Sequence, residues 1–211
     1  MTTADQRLSP PRQARSRDTL ERFAGAAVTL LASESWDRIA VARLAREARS
    51  SVGAFYARFA DKDALLDHLD ERYARELTSL LQRRRRRLER SPQAVRTEVT
   101  ALIRSLVRLS RRYRGVLAAV LAAARQRDQP QHRRRTEMMN AELEPLARVI
   151  AAALPRATPQ DVRIAMAFTF SALRDQVLFP DSVPAAPAPL SDSALTRALV
   201  RSFFGYLEGG R

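Results

Sequence analysis

Residues 39–66, IAVARLAREARSSVGAFYARFADKDALL, decide how the rest of the chain is read. Val41, Leu44, Ala45 and Ala48 fall at i, i+3, i+4 and i+7, which gives a short helix one apolar stripe and leaves Arg43, Arg46 and Glu47 in water. Arg49, Ser50 and Ser51 interrupt that stripe. Ser51 is placed to accept a hydrogen bond from the free amide of Gly53 or Ala54, so a second helix is expected from Val52. Phe55 and Phe59 are four apart and anchor that helix to a core, leaving Ser51, Val52, Gly53, Ala54, Tyr56 and Arg58 on or near the other side. This outer side is small and nearly uncharged. It lets a backbone approach a groove closely, while a phenol and a guanidinium at its margin reach phosphate oxygens. Asp61 then caps a third helix whose first turn carries Lys62, and a helix N-terminus beside an ammonium suits an anion.

The segment resembles the helix-turn-helix of TetR-family transcriptional regulators. Ala48, Ser51, Gly53, Phe55, Tyr56, Phe59, Lys62, Leu65 and Leu66 stand at the fixed spacing of that family's pattern, over roughly a quarter of the chain. Arg49 stands where the pattern has a turn glycine and Ser50 where it has valine. The resemblance implies a regulator, expected to be a repressor, that binds a palindromic double-stranded DNA operator as a homodimer. It also implies a body that takes a small-molecule effector, and a four-helix interface built from the last two long helices of each subunit. The residues assigned to DNA are Arg43, Arg49, Ser51, Val52, Gly53, Ala54, Tyr56, Arg58 and Lys62, the last at the family's phosphate-binding position.

Composition narrows the class. With 211 residues the chain can bury a sizeable core, and the absence of cysteine excludes disulfides, thiolate metal sites and cysteine nucleophiles. None of the six glycines forms a phosphate-cradling cluster, and strand-like alternation is missing, so an all-α protein of about nine helices is expected. The longest apolar run, 116–124, is too short to span a bilayer, and the beginning of the chain lacks the apolar core of a signal peptide. A cytoplasmic protein with no membrane segment follows as the expectation. The net charge is +14, yet 36 of the 37 basic residues are arginine, and eleven arginines against two acidic residues fall within 91–136. Most of the excess therefore lies outside the DNA-reading segment, and arginine content alone is poor evidence for phosphate contacts.

In chain order, residues 1–16 are polar and proline-interrupted, with Arg7, Arg12 and Arg15. A disordered tail and an arm that follows DNA are both open. A head over 17–62 opens with a helix at 17–32 carrying Leu20, Phe23, Ala24, Ala27, Val28 and Leu31 inward, and Trp36 and Ile39 close its core. The body, 63–211, starts in a long helix reaching about residue 90. Ser91 and Pro92 are expected to open the next helix, to 112, followed by helices at 114–127, to about 154, from the Thr158-Pro159 cap to 179, and at 191–208 after a proline-rich loop at 180–189. Leu69, Tyr73, Leu77, Leu102, Leu106, Val120, Met139, Leu143 and Phe168 are the expected effector-pocket residues. Arg108, Arg111, Arg112 and Arg114 crowd one junction, for which ordinary solvation, electrostatic help to DNA binding and an acidic effector are the open accounts.

Two other classes compete. An all-helical enzyme or metal site would use Asp67, His68, Asp70 or Glu71, but no nucleophile with its base and no second acidic motif accompanies them, and ion pairing such as Glu71 with Arg75 accounts for them. No metal, cofactor or catalysis is therefore expected. A nonspecific basic DNA-binding protein would have no preferred sequence.

Overall fold

The computed structural model describes residues 12–126, 130–180 and 190–209, and their side chains apart from those of residues 12–16, 125, 126, 130–136 and 138. Among the described residues the chain is all-α, with nine helices and two 3-10 turns. The order is α1 (Arg12–Leu30), a turn at Trp36–Arg38, α2 (Val41–Glu47), α3 (Val52–Tyr56), α4 (Lys62–Arg90), a turn at Pro92–Ala94, α5 (Val95–Arg112), α6 (Arg114–Gln126), α7 (Pro130–Ala152), α8 (Pro159–Leu178) and α9 (Asp192–Gly209). No helix among the described residues is long and apolar enough to cross a membrane. The chain divides into two compact units, one ending at Leu69 and one starting at Asp70, the division falling inside α4.

The amino-terminal unit closes on aromatic rings. Phe23 of α1 meets Phe55 edge-on at 5.3 Å between centroids and Phe59 at 6.3 Å, and Phe55 and Phe59 lie 5.3 Å apart. All three are buried, as are Ile39, Leu44, Leu65 and Leu69 of the same unit. Helix α1 begins at Arg12 rather than at residue 17, because the residues after Pro11 are good helix formers with no breaker among them. It ends at Leu30, two positions short of the expectation, in a run of turn hydrogen bonds through Glu34. Arg7 and the side chains of Arg12 and Arg15 lie outside the described residues.

The turn between α2 and α3 is a Schellman ending. Ser50 donates its amide to the Ala45 carbonyl at 2.8 Å and Arg49 to that of Arg46 at 3.0 Å, which requires the residue between helix and exit to be left-handed. Arg49 fills that place with φ 48°, the one non-glycine residue with positive φ among those described. A Cβ there crowds the following carbonyl at a cost of about 1–2 kcal/mol. The Arg22 guanidinium donates to the Arg49 carbonyl at 3.1 Å and helps hold it. Arg49→Gly should therefore raise the stability of this unit by about 1 kcal/mol in urea unfolding. A loss instead would mean that the Arg49 side chain supports the turn.

In the carboxy-terminal unit α8 packs on α7 and α9, and α9 on α5. Helix α8 opens with a capping box: Thr158 accepts from the Asp161 amide, and Asp161 accepts from the Thr158 amide at 2.9 Å. Ser91 and Pro92 instead open a 3-10 turn, and α5 starts at Val95. Ser91, at φ −144° and ψ 72°, lacks the extended backbone of a helix cap and makes no capping bond. Most of the stretch 180–189, and the side chains of Met138 and residues 133–135, lie outside the described residues.

Tyr113, at the end of α5, is 1% exposed, and its hydroxyl donates to Glu76 of α4 at 2.6 Å. Burial, reinforced by the hydrogen bond and the charge of Glu76, pushes its pKa up to about 12 from 10.0. The folded state thus holds the phenol proton more tightly than the unfolded chain. That contribution is complete below pH 10 and is lost as pH rises from 10 towards 12. Tyr113→Phe should flatten the fall in stability across this window, measured as midpoint denaturant concentration against pH.

Candidate functional site

The outer side of α3 is built by its cap. Ser51, extended at φ −102° and ψ 158°, accepts from the Ala54 amide at 3.0 Å and starts the helix at Val52, as its position implied. With Phe55 fully buried, one turn of helix projects Val52 at 41% and Tyr56 at 56% exposure, beside exposed Ser51 and Gly53 and half-buried Ala54. Gly53 has an ordinary helical φ, and a methyl group added there would meet nothing closer than Ser51 Oγ at 3.9 Å. Neither backbone nor packing requires glycine at this position, although glycine weakens a helix. The bareness faces outward.

The charged residues assigned to DNA divide. Arg49 and Arg58 are exposed, Arg58 donating to the neighbouring Ala57 carbonyl at 3.2 Å. Arg43 is committed to Glu34 at 2.7 Å. Lys62, expected at a phosphate, is engaged within its own unit. Its Nζ donates to the Trp36 carbonyl at 2.7 Å and the Ile39 carbonyl at 3.1 Å and lies 5.0 Å from the Trp36 ring centre, while the Trp36 indole points its N–H at Asp63. Two of the three ammonium donors are thus spent on the unit itself, because the carbonyls of the Trp36 turn converge on the start of α4. Asp61 caps α4 as expected, accepting from the Ala64 amide at 2.8 Å.

Lys62→Ala should consequently destabilise the amino-terminal unit by about 2 kcal/mol, the scale of hydrogen bonds to a charged group. It should leave the slope of log affinity against log salt unchanged. A slope smaller by about one would return the lysine to a phosphate.

The second candidate lies in the carboxy-terminal unit, a cavity of about 320 Å³ lined mostly by apolar side chains. Of the residues expected around an effector, Tyr73, Leu77, Val120 and Met139 line it. The five other expected pocket residues do not. Leu102 and Leu106 are spent in the core, Leu69 is buried in the amino-terminal unit, and Leu143 is half-buried away from the cavity. Phe168 is corrected outright: it is 57% exposed and packs edge-on against Tyr206 of α9 at 5.7 Å. The cavity wall takes Phe170, Leu173 and Val177 from α8 instead. Ser110 on α5, 6% exposed, also lines it, and its hydroxyl makes no hydrogen bond among the described residues.

Among the described residues no group of three histidine or acidic side chains converges to hold a metal ion. Of the α4 residues considered for that role, His68 lays its ring 6.2 Å from Phe59, and Glu71 pairs with Arg75 at 3.4 Å.

Residues 25–69 match the profile of the bacterial regulatory proteins of the tetR family, a span that takes in α2, α3, Phe55 and Phe59. This segment is similar to the amino-terminal domain of TetR-family regulators. The TetR-like fold extends through the carboxy-terminal unit. A transcriptional regulator from Aquifex aeolicus VF5 aligns at 16% identity and a TM-score of 0.62 over 88% of this chain and 98% of its own. A TetR-family regulator from Mesorhizobium loti MAFF303099 aligns at 15% and 0.64 over 92% and 96%. FadR from Bacillus subtilis, solved in complex with stearoyl-CoA, aligns at 15% and 0.55 over 90% and 99%. At these identities the likeness establishes the fold alone. No curated protein sequence matches the chain.

Proposed function

We propose that the chain is a TetR-family regulator, a repressor that binds a palindromic DNA operator as a homodimer and releases it when a small, largely apolar effector fills the cavity of the carboxy-terminal unit. One observation carries the DNA reading: the exposed flank of α3 is short-chained and uncharged, holds a glycine that the fold does not need, and sits on a rigid aromatic base. Such a flank suits a major groove, where Val52, Gly53, Ala54 and Tyr56 would meet base edges or the adjoining backbone, while Ser51, Arg49 and Arg58, with Arg43 once freed from Glu34, reach phosphates. Two copies of α3 would stand ~34–36 Å apart, one turn of DNA.

The dimer reading rests on Phe168 and Tyr206, two exposed aromatics stacked edge-on across α8 and α9. Large apolar side chains left in water on neighbouring helices favour a partner surface, and a second copy supplies the same patch. The effector reading rests on a mainly apolar cavity with a few polar groups on its wall, the buried Ser110 hydroxyl among them, the usual make-up of a small-molecule site. FadR from Bacillus subtilis holds stearoyl-CoA, so an acyl-chain ligand is a reasonable first probe. The effector acts only through its different affinity for the DNA-competent and incompetent conformers, typically ~1–3 kcal/mol of coupling. A regulator of this kind works where the chromosome is, which places it in the cytoplasm.

Selection of bound fragments from random duplex DNA, with and without acyl-chain and other apolar compounds, tests the whole reading. The expected outcome is an inverted repeat with half-sites one helical turn apart, recovered less efficiently when an effector is present. Recovery of fragments without a shared sequence would leave only a nonspecific basic binder.

A further inference from the structure

Arg75, Arg83 and Arg84 of α4 and Arg108 and Arg112 of α5 converge on one concavity of about 500 Å³ in the carboxy-terminal unit, separate from the apolar cavity. Five guanidinium groups around a cleft repel one another unless acids answer them, and here the acids fall short. Glu76 is shared by Arg112 at 3.4 Å, Arg72 at 3.5 Å and the Tyr113 hydroxyl. Glu98 is shared by Arg84 at 2.8 Å and Arg87 at 3.8 Å. Arg83 and Arg108 make neither an ion pair nor a hydrogen bond among the described residues. Arg84 is held deep, its side chain only 16% exposed, with a buried Nε that has no partner. Arg75, Arg83, Arg108 and Arg112 are exposed around the cleft, and Arg84 is half-buried among them.

We propose that this cleft is a second ligand site, for a small molecule carrying two or more adjacent phosphate groups. The planar fork of a guanidinium matches phosphate oxygens two at a time. The surplus of at least two unanswered cations calls for a ligand with more than one negative charge, which a single carboxylate does not supply. The Ser79 hydroxyl adds a donor at the rim. The volume lies within the ~300–1,000 Å³ of small-molecule sites. The depth of Arg84 favours a slender chain over a duplex, whose stiff backbone rides on the outermost side chains.

The test is isothermal titration of the full-length protein with inorganic triphosphate, against sodium chloride at matched ionic strength. A single saturable site is expected for the parent. Arg83→Ala with Arg108→Ala should weaken it about tenfold or more, since hydrogen bonds to charged groups are removed. Arg156→Ala, an exposed arginine outside the cleft, should bind as the parent does. The proposal is overturned if matched salt reproduces the heat, or if Arg156→Ala weakens binding as much as the double variant. It is equally overturned if triphosphate fails to bind while the double variant loses affinity for random duplex DNA, which would make the arginines a DNA-backbone contact.

Discussion

An Ala54→Glu protein is expected to fold like its parent and to bind its operator at least about 100-fold more weakly. The two halves of that result have separate causes. Ala54 is the third residue of α3, and its amide already bonds the Ser51 hydroxyl at 3.0 Å. A glutamate there can reach back to the Ser51 amide and complete a capping box, and a carboxylate in the first turn of a helix is favoured by the helix dipole. Ala54 is half-buried on the flank that carries Val52 and Tyr56, so the new charge has room to reach solvent. Facing DNA, the same carboxylate meets phosphates, and a like-charge juxtaposition across an interface costs several kcal/mol. Circular dichroism and thermal melting should match the parent, while operator binding by fluorescence anisotropy collapses. Unchanged binding in a folded variant would remove α3 from the interface.

Phe55→Ala should do the reverse, destroying the support and with it the reading flank. Phe55 is fully buried and touches Phe23, Phe59 and Tyr56 at centroid separations of 5.3–5.4 Å, so truncation opens a cavity among rings with few ways to collapse. Such a change costs about 3–5 kcal/mol. The unit that bears it ends at Leu69, and a core this small leaves little margin. Limited proteolysis should cut first within α1 to α3 and spare the carboxy-terminal unit, and DNA affinity should fall for operator and random sequence alike. Resistance equal to the parent's would mean that the three phenylalanines are not the keystone of this unit.

The helix-turn-helix was legible because its signals are local. A stripe at i, i+3, i+4 and i+7, a serine one residue before the helix, and two phenylalanines one turn apart each act within a few residues. What the sequence did not show was decided by distant partners. Lys62 reads as a phosphate ligand from its place at a helix start, but the carbonyls that engage it belong to the turn at Trp36–Arg38. Phe168 and Phe170 are two apart on a helix with apolar residues on most sides, and period alone does not say which side meets the cavity and which meets water. Ser110 gave no signal at all, since a serine within an apolar stripe looks like an interruption until the cavity beside it is known. The arginine cleft was visible only as a crowd, because convergence requires knowing how α4 and α5 pair.

The vacancy beside Gly53 bears on any attempt to toughen this protein. A screen that rewards heat resistance would be drawn to that position, where alanine adds helix-forming tendency and displaces nothing. Survivors of such a screen should be hardier and blind: sound proteins that no longer recognise their genes, with the defect traceable to one extra carbon.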